Sequence, residues 1–127
     1  KLPVKGTQAL VIRTLPNDQS KCSRRYSNTN PPFLEAAAAA WMATNGIDHL
    51  LLDTPSVDKE QDGGKLSAHH AFWKYPEATR LHATISELIY VPESVKDGLY
   101  ILNLQITALE NDASPSKPLL FELIPQL

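Results

Sequence analysis

Two histidines, one glutamate and a short polar turn are the residues of this chain whose types and spacing could support chemistry. The apolar run Leu50–Leu52 leads into the polar segment Asp53–Ser56, and His69, His70 and Glu87 follow. A short apolar run is typical of a buried strand, and open α/β sheets bind ligands at the carboxyl ends of their strands. The sequence therefore predicts a polar site at the end of a strand.

The adjacent histidines are not expected to share one metal ion. On a strand, the side chains of His69 and His70 point to opposite faces, and on a helix they diverge by about 100°. Taken alone, such a pair is more often one packed or capping histidine beside a solvated one. Asp53 is equally compatible with a hydrogen bond to a ligand histidine and with a turn cap.

Composition sets the broad class of the protein. The chain has 127 residues, of which 43% are hydrophobic and 20% are charged, and its formal net charge is -2. These values are ordinary for a globular protein, and we expect residues 1–127 to form a single domain. No basic surface is implied, so nucleic acid and membranes are not expected partners. A cytoplasmic location is the default, although the intact protein could carry a signal peptide.

The elements that must position the polar residues follow from local patterns. Gln8–Thr14 and Ile47–Asp53 are predicted strands. Between them we predict a helix with Asn30 as its N-cap and Pro31 as its first residue, ending at Asn45-Gly46. The order strand–helix–strand indicates a parallel pair of strands.

Further elements are predicted after the polar turn. Ser67 is a candidate cap for a short helix within Leu66–Tyr75. Leu81–Leu88, Leu99–Thr107 and Leu119–Ile124 have the composition of strands. The expected fold class is therefore α/β, a β-sheet with a helix packed on it.

Three segments resemble a known enzyme family. Gly46–Asp58 (G-I-D-H-L-L-L-D-T-P-S-V-D), Lys65–His70 (K-L-S-A-H-H) and Asp112–Pro115 (D-A-S-P) are similar to the second half of the cyclase-like metal-dependent hydrolases. Bacterial kynurenine formamidase and isatin hydrolase are members of that family. The resemblance begins at about Ala9, and it implies the family's swivelling β/β/α domain, here incomplete.

The resemblance implies a reaction and a role for individual residues. The reaction is hydrolysis of a small amide, formamide or lactam, in which a zinc or manganese ion lowers the pKa of a bound water to about 7 so that hydroxide attacks the carbonyl. His69 and Glu87 correspond to metal ligands, and His70 is the candidate catalytic or supporting residue. Substrate contacts are expected from the residues of two polar turns: Asp53, Thr54, Pro55, Ser56 and Ser114.

The sequence departs from the family in one respect. The main metal motif, H-x-G-T-H-x-D-x-P-x-H, does not occur in it. The chain is therefore expected to be a carboxyl-terminal portion, inactive alone, that binds metal only when a missing amino-terminal segment or another subunit supplies ligands. The family also implies a homo-oligomer. The alternatives are a non-catalytic association domain that kept the fold, and a split enzyme whose pieces stay associated.

Overall fold

The protein is an α/β structure of two small sheets and two helices in the computed structural model, which describes residues 5–124. The strands are β1 (Ala9–Ile12), β2 (His49–Leu52), β3 (Thr84–Ser86), β4 (Tyr100–Ile106) and β5 (Ser116–Glu122). The α-helices are α1 (Ala36–Thr44) and α2 (Ser67–Trp73), and Gln19–Cys22 forms a short 3-10 helix. None of these helices has the length and apolar character that a membrane crossing requires.

The chain divides into two compact units, residues 1–93 and 94–127. The first unit holds β1, β2, β3 and both helices, and the second holds β4 and β5. The assignment of the whole chain to one domain stays a prediction.

A parallel three-stranded sheet with β2 at its centre organises the first unit. Ala9 of β1 lies opposite His49 of β2, and His49 lies opposite Thr84 of β3. The predicted parallel pair of strands is confirmed. Because parallel strands all end at the same edge, the segments that leave β2 and β3 emerge side by side.

The core of the first unit lies between the sheet and the two helices. Leu50 of β2 is fully buried and belongs to one cluster with Ala39 and Met42 of α1 and Phe72 of α2. Leu51 is also fully buried. Burial of one such side chain stabilises a fold by about 1.5–3 kcal/mol. The apolar run in β2 therefore fixes the position of the polar segment that follows it.

Helix α1 begins later than the sequence pattern suggests. Its N-cap is Glu35, and Asn30 has a left-handed φ of 50° instead of starting the helix. The prediction of an N-cap at Asn30 was wrong because Pro32 disfavours the helical conformation of the preceding Pro31. The predicted end is confirmed, since Asn45 is the C-cap and Gly46 has a φ of 81°.

The second unit is an antiparallel hairpin of β4 and β5. Tyr100 pairs with Glu122 at one end, and Ile106 pairs with Ser116 at the other. The predicted strand within Leu99–Thr107 is confirmed. Strand β5 begins at Ser116, earlier than predicted, and it contains Pro118 opposite Leu104. Proline lacks an N–H donor, so such a position suits a strand at the edge of a sheet.

Candidate functional site

The carboxyl ends of β2 and β3 bring two distant segments together in the first unit. The amide of Leu88 donates to the carbonyl of Thr54 at 2.9 Å, and the amide of Ile89 donates to the carbonyl of Leu52 at 3.2 Å. The residues after β3 therefore run beside the residues after β2. This places Glu87 next to the turn that carries Val57 and Asp58.

Asp58 connects this turn to the start of α2. Its Oδ1 accepts from the amide of Ala68 at 2.6 Å, and its Oδ2 accepts from the amide of His69 at 3.3 Å. The prediction that Ser67 caps the helix was wrong, because Leu66 is the N-cap residue, with no capping bond from its side chain, and Asp58 satisfies two of the free amides. The helix thus begins where Asp58 holds it.

The same carboxylate holds the imidazole of His69. Nδ1 of His69 lies 2.6 Å from Oδ2 of Asp58, and the side chains are 16% and 5% exposed. Two backbone amides already donate to this carboxylate, so it acts as an acceptor and the imidazole nitrogen as the donor. With its proton on Nδ1, a neutral His69 presents a free lone pair on Nε2.

Nε2 of His69 faces Glu87. The distance from Nε2 to Oε1 of Glu87 is 3.6 Å, and the Glu87 side chain is 29% exposed. The amide of Val57 donates to the same Oε1 at 2.8 Å and fixes the carboxylate in place. The structure therefore brings together His69 and Glu87, the two predicted metal ligands, at a partly open position.

The chemistry of these two donors fits a zinc ion. Two ligand atoms about 2.0–2.1 Å from a tetrahedral zinc lie roughly 3.4 Å apart, close to the observed 3.6 Å between Nε2 and Oε1. A ligand histidine whose other nitrogen donates to a carboxylate is the usual arrangement at protein metal sites. Within residues 5–124, however, no group of three or more His, Cys, Asp and Glu side chains could hold a metal ion. The described chain offers two donors, which is fewer than a catalytic zinc needs.

Asp53 forms a separate buried ion pair. Its Oδ2 lies 2.7 Å from Nζ of Lys21, and the side chains of Lys21 and Asp53 are 6% and 1% exposed. The amide and hydroxyl of Thr14 also donate to the carboxylate. In the described part of the chain no hydrogen bond joins Asp53 to His69 or His70. Its predicted contact with substrate stays a prediction.

The other predicted residues of the polar turn bond within the turn itself. The Thr54 hydroxyl donates to the carbonyl of Ser56 at 2.9 Å, and Oγ of Ser56 accepts from the amide of Asp58 at 3.1 Å. Thr54 is buried, whereas Pro55 and Ser56 are half-buried. These contacts shape the segment that presents Val57 and Asp58, and a role in substrate binding is untested.

His70 packs on a different ring from His69, and Ser114 belongs to the second unit. The ring of His70 packs on Tyr75, with the ring centroids 4.9 Å apart, whereas the ring of His69 packs on Trp73 at 5.2 Å. Ser114 is half-buried in the loop between β4 and β5 of the second unit. The catalytic role of His70 and the substrate contact of Ser114 stay predictions.

Sequence reasoning missed Asp58 and Lys21 as site residues. Asp58 is the last letter of D-T-P-S-V-D, but the chain separates it from His69 by ten intervening residues. A helix cap is normally sought next to the helix, so this carboxylate gave no local signal. Lys21 lies in a polar loop whose composition is that of a solvated segment.

A cavity adjoins the turn on the side of the two helix starts. Its volume is about 470 Å³, and Phe33, Leu34, Asp58, Lys59 and Lys65 are among the residues that line it. Cavities of roughly 300–1,000 Å³ are usual for small-molecule sites. Asp58 thus borders this space, whereas His69 and Glu87 are not among the residues that line it.

One comparison with known proteins bears on this site. The family model described as "Putative cyclase" matches residues 1–59. The matched segment includes D-T-P-S-V-D, whereas His69 and Glu87 lie beyond it. The match supports a cyclase-like relationship at the level of the family. No curated protein matches the chain.

Proposed function

We propose that this chain supplies part of the active site of a cyclase-like, metal-dependent amidohydrolase. The observation that carries the proposal is the 3.6 Å separation of His69 Nε2 and Glu87 Oε1, with Nδ1 of the imidazole held by Asp58. The family match over residues 1–59 supports it independently. In this proposal the chain is the carboxyl-terminal portion of an incomplete swivelling β/β/α domain.

The metal would be zinc or manganese, bound by His69 and Glu87. Imidazole nitrogen suits zinc, and carboxylate oxygen suits manganese as well as zinc. The remaining ligands would come from a segment bearing H-x-G-T-H-x-D or from another subunit. When bound, the metal would polarise the amide carbonyl and activate a water molecule.

The substrate would be a small amide, formamide or lactam seated beside the turn Asp53–Asp58. The cavity there has apolar walls from Phe33 and Leu34, and its charged lining combines the basic residues Lys59 and Lys65 with the acidic residues Glu35, Asp58 and Asp62. Thr54, Pro55 and Ser56 would form the wall nearest Glu87. The ion pair between Asp53 and Lys21 would fix the start of that wall. His70 would support the reacting groups.

Metal titration of the full chain tests the proposal. With a polypeptide bearing H-x-G-T-H-x-D present, isothermal calorimetry should detect zinc binding, and His69→Ala and Glu87→Gln should weaken it. His82→Ala is the matched control, because His82 also contacts a carboxylate, Asp48 at 3.2 Å, but is 66% exposed. Unchanged zinc binding in His69→Ala would refute the assignment of His69 as a ligand.

Hydrolysis assays test the incomplete site. Two protein donors do not fix a metal in hydrolytic geometry, so the purified 127-residue chain should not hydrolyse formanilide-type amides with either metal. Addition of a polypeptide bearing H-x-G-T-H-x-D should restore turnover. Robust zinc- or manganese-dependent hydrolysis by the chain alone would contradict the proposal. Separately, the intact mass of the isolated protein would show whether these residues are the whole molecule.

A non-catalytic association domain is the second candidate. Exposed apolar side chains on the hairpin favour it: Ile101 and Phe121 pair across β4 and β5 and are 58% and 52% exposed. Exposed apolar patches mark interaction sites more often than ordinary surface. A homo-oligomer would be compatible with either candidate, and failure of every metal assay together with self-association would favour this one.

A further inference from the structure

We propose that the dipeptide Val57-Asp58 is the positioning unit of the candidate metal site, with Asp58 as the residue that fixes the tautomer of His69. This inference rests on the proposed function. Neighbouring residues hold the two donors: the amide of Val57 binds Glu87 at 2.8 Å, and the carboxylate of Asp58 binds Nδ1 of His69 at 2.6 Å. One rigid turn therefore sets the spacing of the donor pair.

The dipeptide is itself firmly anchored. The Val57 side chain is fully buried in the core cluster, and the Val57 carbonyl accepts from the amide of Leu34 at 2.8 Å. Ser56 Oγ accepts from the Asp58 amide. The turn is therefore tied to the core, to the segment before α1 and to itself, which limits the freedom of both donors.

The two carboxylate oxygens of Asp58 accept different hydrogen bonds, one from the start of α2 and one from the imidazole of His69. Oδ1 accepts from the amide of Ala68 at 2.6 Å, and Oδ2 accepts from Nδ1 of His69. An asparagine side chain has one acceptor oxygen, so Asp58→Asn can accept from the Ala68 amide or from Nδ1–H but not from both, and its NH2 group can contact Nδ1 only when that nitrogen carries no proton. The same carboxylate thus couples the first turn of α2 to the direction of the Nε2 lone pair.

Asp62 provides a matched control in the loop before α2. Its two oxygens also accept from backbone amides, Oδ1 from Gly64 at 2.7 Å and Oδ2 from Leu66 at 2.6 Å. Within residues 5–124, no hydrogen bond links Asp62 to a histidine ring. Asp62→Asn therefore removes a similar loop contact without touching the donor pair.

Nitrogen-15 NMR of the imidazole ring tests the tautomer directly in the wild-type chain. In spectra recorded where the imidazole ring is neutral, the proton of His69 should lie on Nδ1. In Asp58→Asn and Asp58→Ala the ring should shift toward a mixture of tautomers, while Asp62→Asn should keep the wild-type pattern. A neutral wild-type His69 that carries its proton on Nε2 would overturn the proposal without any variant needing to fold.

Zinc titration of the same proteins separates positioning from stability. Zinc affinity should fall by about 10–100-fold in Asp58→Asn, the range typical for loss of an outer-shell partner. Asp62→Asn should bind zinc like the wild type even where urea unfolding shows a comparable loss of stability. Equal zinc affinity of Asp58→Asn and the wild type would refute the positioning role. If no protein binds zinc even with a polypeptide bearing H-x-G-T-H-x-D present, the proposed function is refuted, and the NMR result then decides the role of Asp58 alone.

Discussion

At the scale of single residues, the buried pair Lys21–Asp53 makes a strong prediction about stability. Both side chains are nearly inaccessible and their charged atoms are 2.7 Å apart. Lys21→Met leaves the Asp53 carboxylate buried without its partner, which should cost about 3–5 kcal/mol. The free energy of unfolding in urea measures this loss.

An exposed ion pair in the same loop is the control for that experiment. Arg24 and Asp18 lie 3.6 Å apart with side chains 41% and 51% exposed, so Arg24→Ala should lower the free energy of unfolding far less than Lys21→Met. The double variant Lys21→Met/Asp53→Asn should recover much of the lost stability because no buried charge remains. Equal losses in Lys21→Met and Arg24→Ala would show that burial of the first pair has no energetic consequence.

Asp62 gives a prediction about pH. The hydrogen bond from the Leu66 amide, followed by that from Gly64, holds the pKa of Asp62 below its ordinary value of 3.8. A lowered folded-state pKa contributes stability above the unfolded value and loses it as pH falls through the folded value. Asp62→Asn should therefore be less stable than the wild type at about pH 6, and the difference should shrink toward zero at about pH 2. Urea unfolding at both values measures it, and a constant difference would contradict the assignment.

At the scale of elements, a better N-cap at the start of α1 should increase the stability of the protein. Glu35 occupies the N-cap with an extended backbone, but its side chain makes no capping hydrogen bond. Serine or aspartate at this position can accept from the free amides of the first turn, and such caps are worth about 0.5–2 kcal/mol. We expect Glu35→Ser to raise the free energy of unfolding by about 1 kcal/mol. Glu35→Gln, which keeps the length of the side chain, should change it little.

The elements show how far local sequence reasoning reaches. Strand β2, the end of α1 at Asn45-Gly46 and the parallel pairing were predictable because apolar runs, stop residues and chain order act locally. The start of α1 was not, because Pro32 overrides the capping signal of Asn30. Trp41 is 41% exposed, since the buried face of the helix runs through Ala39, Met42 and Ala43.

In the candidate site, local sequence reasoning finds the reactive side chains but not the residues that orient them. His69 and Glu87 could be selected from the sequence by family resemblance, and the structure places them together. Asp58 and Lys21 could not, because each acts on a partner that is distant in the chain and adjacent only in the folded structure. Local sequence patterns identify the side chains that can react. The contacts that orient these side chains form only because the segments after β2 and β3 lie side by side at the carboxyl edge of the sheet.

At the scale of the whole molecule, the two compact units differ in what stabilises them. The first has a three-stranded sheet covered by helices, while the second is a two-stranded hairpin, a structure that is marginal in water without further packing. Leu99, Ile101 and Phe121 of the hairpin segment are all more than half exposed. The hairpin should therefore open locally more often than the central sheet.

Hydrogen exchange tests this difference. After correction for intrinsic rates, hydrogen-bonded amides of β4 and β5 should exchange at least about tenfold faster than those of β2. The amides of β1, an outer strand of the first sheet, control for edge position, and they should be better protected than those of β4. Equal protection of β4 and β2 would contradict the prediction. Such a result would mean that another surface covers the hairpin in solution. It would favour the second candidate function, a non-catalytic association domain, because the apolar side chains would then be buried against a partner.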